Sequence, residues 1–163
     1  MKLSTKDRRG LLTNGALLFA SHATAQALPC PPTRVLFVCP AGTVKSAIAR
    51  DTLRRRAAQR GVAVRVQSRG VHPEDHVSPA LAAHLRADGI DPRSEPVQSL
   101  AAADVSGNDV IIAFDEAAQA QGMGQARIWD VPSWNTSYAA AKSALAVQVD
   151  DLLDELAAKP CRR

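Results

Sequence analysis

An α/β fold is predicted: a single doubly wound domain whose four-stranded parallel sheet carries helices on both faces. Three observations predict it. Short apolar runs alternate along the chain with segments of helical periodicity, the order that builds a parallel sheet. About 136 residues follow the first 27, enough for one core of ordinary size. No repeat, low-complexity linker or compositional shift marks a second domain.

The elements follow in order. Val35, Leu36, Phe37 and Val38 form an unbroken apolar run, the mark of a strand buried on both faces, so the first strand is expected at 35–38. A helix follows over 46–60. The second strand, 62–67, sets Val62, Val64 and Val66 on one face. The next helix, 78–88, has Ser78 as its N-cap, Pro79 at its first helical position and Gly89 as its stop. A third buried strand is expected at 109–114, a short fourth at 126–129 and a long terminal helix at 136–158.

Residues 1–27 have the layout of an export signal rather than of fold. Lys2, Lys6, Arg8 and Arg9 make a basic start, an apolar stretch spans 11–20, and Ala25-Gln26-Ala27 offers small residues at the cleavage spacing. The run Asp7-Arg8-Arg9-Gly10-Leu11-Leu12-Thr13 resembles a twin-arginine signal. The apolar stretch is shorter than the ~20 residues that span a bilayer, and Thr13, Asn14 and Gly15 interrupt it. Pro29 before Cys30 disfavours a lipoprotein. The expectation is a periplasmic or otherwise exported domain, 28–163, with no stable membrane anchor after signal removal.

Charge argues against nucleic acid as a partner. The chain has 20 basic and 16 acidic residues; the first 27 hold four of the former and one of the latter, leaving 16 against 15. Arg54-Arg55-Arg56 is a basic run, but consecutive helical positions fan around the cylinder, which reads as a solvated face. The sequence carries no signature of oligomeric state.

Three cysteines remain beyond the signal: Cys30 before the first strand, Cys39 at its end and Cys161 after the last helix. In a doubly wound sheet, Cys30 and Cys161 both fall at the bottom edge, where they either pair or sit on free termini. Cys39 is different. It precedes a small-residue loop, Pro40-Ala41-Gly42-Thr43-Val44, that opens a helix at Lys45 and Ser46. The N–H groups of such a loop converge on one point, and the positive end of the helix dipole favours a thiolate beneath it. The alternative is a small apolar residue buried at a strand end. His72, His76 and His84 lack metal-ligand spacing, and no metal or cofactor is expected.

Cysteine, five residues, a basic residue and a hydroxyl residue resembles the active-site loop of the low-molecular-weight protein tyrosine phosphatases and the related thioredoxin-coupled arsenate reductases. Ser68-Arg69-Gly70 is similar to that family's Ser-Ala-Gly segment, whose Ser supports the loop. Asp88-Gly89-Ile90-Asp91 and the run 109–114 extend the likeness over 33–157. The resemblance implies that Cys39 is the nucleophile, Ser46 the hydroxyl that stabilises its thiolate, and Lys45 the oxyanion clamp. Ala41, Gly42, Thr43, Val44 and Lys45 would hold phosphate or a phosphorylated substrate.

Several positions depart from the family pattern. Gly42 stands where the family carries Asn, and Pro40 has no N–H to donate. Lys45 stands where Arg belongs, and losing a bidentate contact of that kind costs about 2.7–4 kcal/mol of transition-state stabilisation. Aligned from Trp129, the acid loop Asp130-Val131-Pro132-Ser133-Trp134 has Ser133 at the acid's position. Asp130 is then either a substitute acid or a structural cap. Trp134, Tyr138 and Trp129 either rim the site for an aryl phosphate or pack over the loop.

The resemblance therefore implies a phosphatase with weak or impaired cysteine-dependent activity. The alternative is a catalytically inactive oxyanion sensor or partner-binding pseudoenzyme. Arsenate reduction ranks last, since Val44 replaces the second loop cysteine and no Cys lies between Cys39 and Cys161.

Overall fold

The computed structural model describes residues 30–159. The expected export signal and Cys161, hence the Cys30–Cys161 pairing, lie outside the described residues. Strand β1, Thr33–Cys39, leads through α1, Lys45–Arg60, to β2, Val64–Gly70. Helices α2, Pro79–Ala87, and α3, Ala102–Ser106, precede β3, Val110–Ala113. Two 3₁₀ turns, Asp115–Gln119 and Met123–Gln125, lead to β4, Arg127–Ile128, and α4, Tyr138–Ala158, closes the described chain. The sheet is wholly parallel, in the order β2-β1-β3-β4.

The unbroken apolar run of β1 is explained by its interior place in that order. β1 pairs β2 from Thr33↔Val64 to Cys39↔Gly70 on one side, and β3 from Val35↔Val110 to Val38↔Ala113 on the other. Its side chains alternate between two cores. Val35, Phe37 and Cys39 join the larger one with Leu53 of α1, Leu85 of α2 and Leu153 of α4. Leu36 and Val38 join a smaller one with Ala113, Ala117 and Met123, covered by α3 and the 3₁₀ turns. Both faces of the sheet are thus covered, the second by short pieces alone. Five helical residues carry too little periodicity to read, which is why α3 was not anticipated.

Local chemistry sets the boundaries. Ser78 caps α2 as expected, its Oγ accepting the Leu81 N–H at 3.3 Å, with Pro79 beginning the helix. Gly89 turns the chain away at φ 67°. β2 runs to Gly70 rather than to residue 67, because pairing with β1 carries Ser68, Arg69 and Gly70 along, although their composition reads as loop. α4 begins at Tyr138 rather than at 136, because the Thr136 and Ser137 N–H groups both turn back to the Ser133 carbonyl. Among the described residues no helix is long and apolar enough to cross a membrane.

Candidate active-site loop

β1 is an interior strand, so it delivers Cys39 to the C-terminal edge of the sheet, where parallel α/β folds build their sites. Cys39 is buried there, 3% exposed, and is the free cysteine among the described residues. Its Sγ accepts the Gly42 N–H at 3.2 Å and lies 3.1 Å from Ser46 Oγ. Ser46 Oγ is also 3.4 Å from the Arg69 carbonyl. With a thiol present, the hydroxyl donates to that carbonyl and receives the S–H. With a thiolate, it turns to donate to sulfur. The structure therefore brings Cys39, Gly42 and Ser46 into one contact set.

Gly42 is required twice. It adopts φ 76°, in the left-handed region. In addition, a Cβ at 42 would meet Gly70 N at 2.8 Å and Gly70 Cα at 2.9 Å, so loop and strand end pack backbone to backbone. The positive φ was legible in the sequence; the close approach to Gly70 was not. The chain after Gly70 also braces the loop, with Val71, His72 and Glu74 N–H groups donating to the carbonyls of Cys39, Pro40 and Ala41. Thr43 is fully buried and its Oγ1 donates to the Ala41 carbonyl at 3.3 Å. Val44, the residue before α1, makes no side-chain cap. The N–H groups of the first helical turn have no intrahelical acceptor, and that turn follows directly on the loop.

Lys45 begins α1, a position the helix dipole makes unfavourable for a cation unless an anion is near. The anion is Asp115: Lys45 Nζ lies 2.6 Å from Asp115 Oδ1. Sequence reasoning missed Asp115. The signal was its place directly after the third strand, at the same sheet edge as Cys39.

The expected acid is not gathered with these groups. Asp130 is exposed, its carbonyl accepting from Gln148 of α4 at 3.1 Å, and the contacts among Cys39, Gly42, Ser46 and Lys45 do not extend to it. Ser133 is exposed and serves α4 through its carbonyl. The aromatic residues pack. Trp134 is 4% exposed and meets Tyr138 edge-on at 5.4 Å. Trp129 lies against Phe37 and Phe114. Tyr138 stacks on His84 at 4.6 Å and donates its hydroxyl to Asp88. Burial and the Asp88 carboxylate raise the Tyr138 pKa, so the phenol stays protonated.

Ser68 does not reach the loop directly; its Oγ accepts from Arg50 Nη1 at 3.0 Å. Arg50, on α1, is 2% exposed. It also donates to Asp51 at 2.8 Å, Ser94 at 3.0 Å, Glu95 at 3.3 Å and the Pro92 carbonyl at 3.4 Å. This guanidinium ties α1 to the end of β2 and to the segment that follows α2. Among the described residues no group of His, Cys, Asp and Glu is placed to hold a metal ion. A groove of about 800 Å³ lies elsewhere, over the thinly covered face between Leu100, Val105, Ile111 and Gly122.

Comparison with known proteins fits this geometry. The low molecular weight protein tyrosine phosphatase of T. tengcongensis is 23% identical, with a TM-score of 0.61 over 76% of this chain and 99% of its own. The tyrosine phosphatase Wzb of Escherichia coli, solved in complex with sulphate, is 14% identical, with a TM-score of 0.61 over 76% of this chain and 97% of its own. An arsenate reductase in its phosphate-binding state is 17% identical, with a TM-score of 0.62 over 76% and 98%. At these identities the likeness is one of fold. No curated protein matches the sequence significantly. The sequence model of the family described as low molecular weight phosphotyrosine protein phosphatase, however, matches residues 34–151. A match over that span, well beyond half of the chain, makes the protein a member of the low molecular weight phosphotyrosine protein phosphatase family.

Proposed function

We propose that the protein binds phosphate or an aryl phosphomonoester at the 39–46 loop and hydrolyses the ester slowly through Cys39. One observation carries this reading: Cys39 Sγ receives the Gly42 N–H and the Ser46 hydroxyl within a loop that opens a helix without a side-chain cap. An oxyanion seated over the sulfur would complete the helix start and take the amides of Ala41, Thr43, Val44 and Lys45, with the Gly42 N–H shared between anion and sulfur. Two fold neighbours solved with sulphate or in a phosphate-binding state support the choice of ligand.

In the reaction the thiolate attacks phosphorus, an S–P bond forms, and the P–O bond to the aryl group breaks. The phenolate takes its proton from water. Water then attacks the phosphocysteine, returning the thiolate and releasing phosphate. Ser46 supports the sulfur charge when the thiolate forms and when it leaves. With Lys45 for Arg and no carboxylic acid at 133, turnover is slow. Removal of 1–27 on export would deliver the domain to the periplasm.

A second reading, an oxyanion-binding pseudoenzyme, is favoured by the Lys45–Asp115 pair, which compensates the clamp's charge. One assay separates the two. Protein kept reduced is given an aryl phosphate with a good leaving group, and phosphate binding is measured on the same preparation. Turnover abolished by Cys39→Ser is expected. Phosphate binding with no Cys39-dependent turnover would establish the pseudoenzyme, and the absence of both would reject the site.

A further inference from the structure

Resting on the oxyanion-binding reading above, we propose that Asp115 determines which anions the loop accepts, by competing with a bound oxyanion for Lys45. The two residues lie 70 positions apart in sequence, yet their charged atoms are 2.6 Å apart. The lysine side chain is 17% exposed, so most of its length is packed, and its ammonium meets an Asp115 side chain that is 40% exposed. The backbone that carries Asp115 is held on both sides. The Phe114 N–H before it donates to the Val38 carbonyl at 2.9 Å, which ties it to β1. The Ala117 N–H donates to the Phe114 carbonyl at 3.2 Å and closes the turn after it. Asp115 itself adopts φ 54° and is the one non-glycine residue at positive φ among the described residues. That conformation is uncommon for a residue with a Cβ and is tolerated best by Asp and Asn.

The consequence is electrostatic. An ammonium is a compact charge with three donors, so Lys45 can touch Asp115 and an oxyanion together. The carboxylate nevertheless repels whatever anion shares the lysine, and the loop offers no second side-chain cation among residues 39–46. Coulomb repulsion grows in proportion to the anion's charge. A dianion such as hydrogen phosphate is therefore penalised twice as steeply, on a logarithmic scale, as a tetrahedral monoanion of similar size. Asp115 thus biases the site towards singly charged oxyanions and weakens its hold on doubly charged monoesters.

Asp115→Asn removes the charge, keeps the shape and suits the left-handed backbone. Asp115→Gly is a second variant that needs no side-chain tolerance at this φ. Wild type and both variants are titrated calorimetrically, at equal ionic strength and pH 8, with inorganic phosphate as the dianion and perrhenate as the monoanion. The expected gain is roughly thirtyfold in affinity for phosphate and about fivefold for perrhenate, the ratio that linear dependence on charge requires. Equal gains for the two anions, or no gain, while wild type still binds phosphate, would overturn the role of Asp115 and leave the loop as the site. No binding of either anion by wild type or variants would overturn both.

Discussion

Replacing Lys45 with Arg is expected to raise turnover of an aryl phosphate by roughly 10²-fold, chiefly in kcat. The loop already supplies the sulfur, its two donors and an open helix start. What it lacks is a planar fork that meets two equatorial oxygens of the transferring phosphoryl group. Lys45 is in addition bound to Asp115, so its single charge is divided between that carboxylate and any substrate. A guanidinium has five N–H donors, enough to keep Asp115 on one side and present two to phosphate on the other. Adding Ser133→Asp supplies a carboxylic acid at the position to which the resemblance assigns the leaving-group acid. A further gain of roughly 10²-fold is expected for substrates with poor leaving groups. Steady-state kinetics on two aryl phosphates of different leaving-group pKa check both parts. Failure of Lys45→Arg to raise kcat would mean that the loop backbone, with Gly42 for Asn and Pro40 lacking its N–H, no longer fits the transition state.

Arg50→Met is expected to destabilise the protein by about 3 kcal/mol, because it leaves the polar partners of a buried guanidinium without their donor. Of those partners Ser68 is itself buried, while Asp51 and Glu95 retain access to water and recover part of the loss. A thermal melt followed by circular dichroism should show a midpoint lower by about 10 °C. Arg50→Lys should not restore it, since one ammonium cannot reach the five groups that the guanidinium spans. The loss should also be felt at the loop. Ser68 lies two residues before Gly70, whose backbone packs directly on Gly42. A midpoint within 2 °C or so of wild type would show that α1 and β2 hold together without this side chain.

Much of the architecture was legible because it rests on patterns with one physical reading. The continuous run at Val35, Leu36, Phe37 and Val38 could be satisfied only by a strand covered on both faces, and β1 is interior. Ser78, Pro79 and Gly89 marked the bounds of α2 through backbone chemistry that does not depend on the rest of the fold. Cys39, Gly42 and Ser46 came together because a loop of fixed length between a strand and a helix leaves them little freedom. The remainder depended on pairing between distant segments. Asp115 follows the third strand at the sheet edge that carries Cys39, but only the fold pairs it with Lys45, and nothing local in Arg50, 2% exposed, distinguishes it from a surface charge. Trp129, Trp134 and Tyr138 were legible as aromatic residues near the site. Whether they faced substrate or core was decided by the packing of α4 against α2 and the sheet.

The central claim is that an oxyanion sits over Cys39, and backbone amide chemical shifts test it most directly. Inorganic phosphate titrated into reduced, isotope-labelled protein should shift the amides of residues 41–47 saturably, with shifts falling away outside the loop and the 70–74 segment that braces it. Shifts that do not saturate there, or that centre on the groove between Leu100, Val105 and Gly122, would contradict the account.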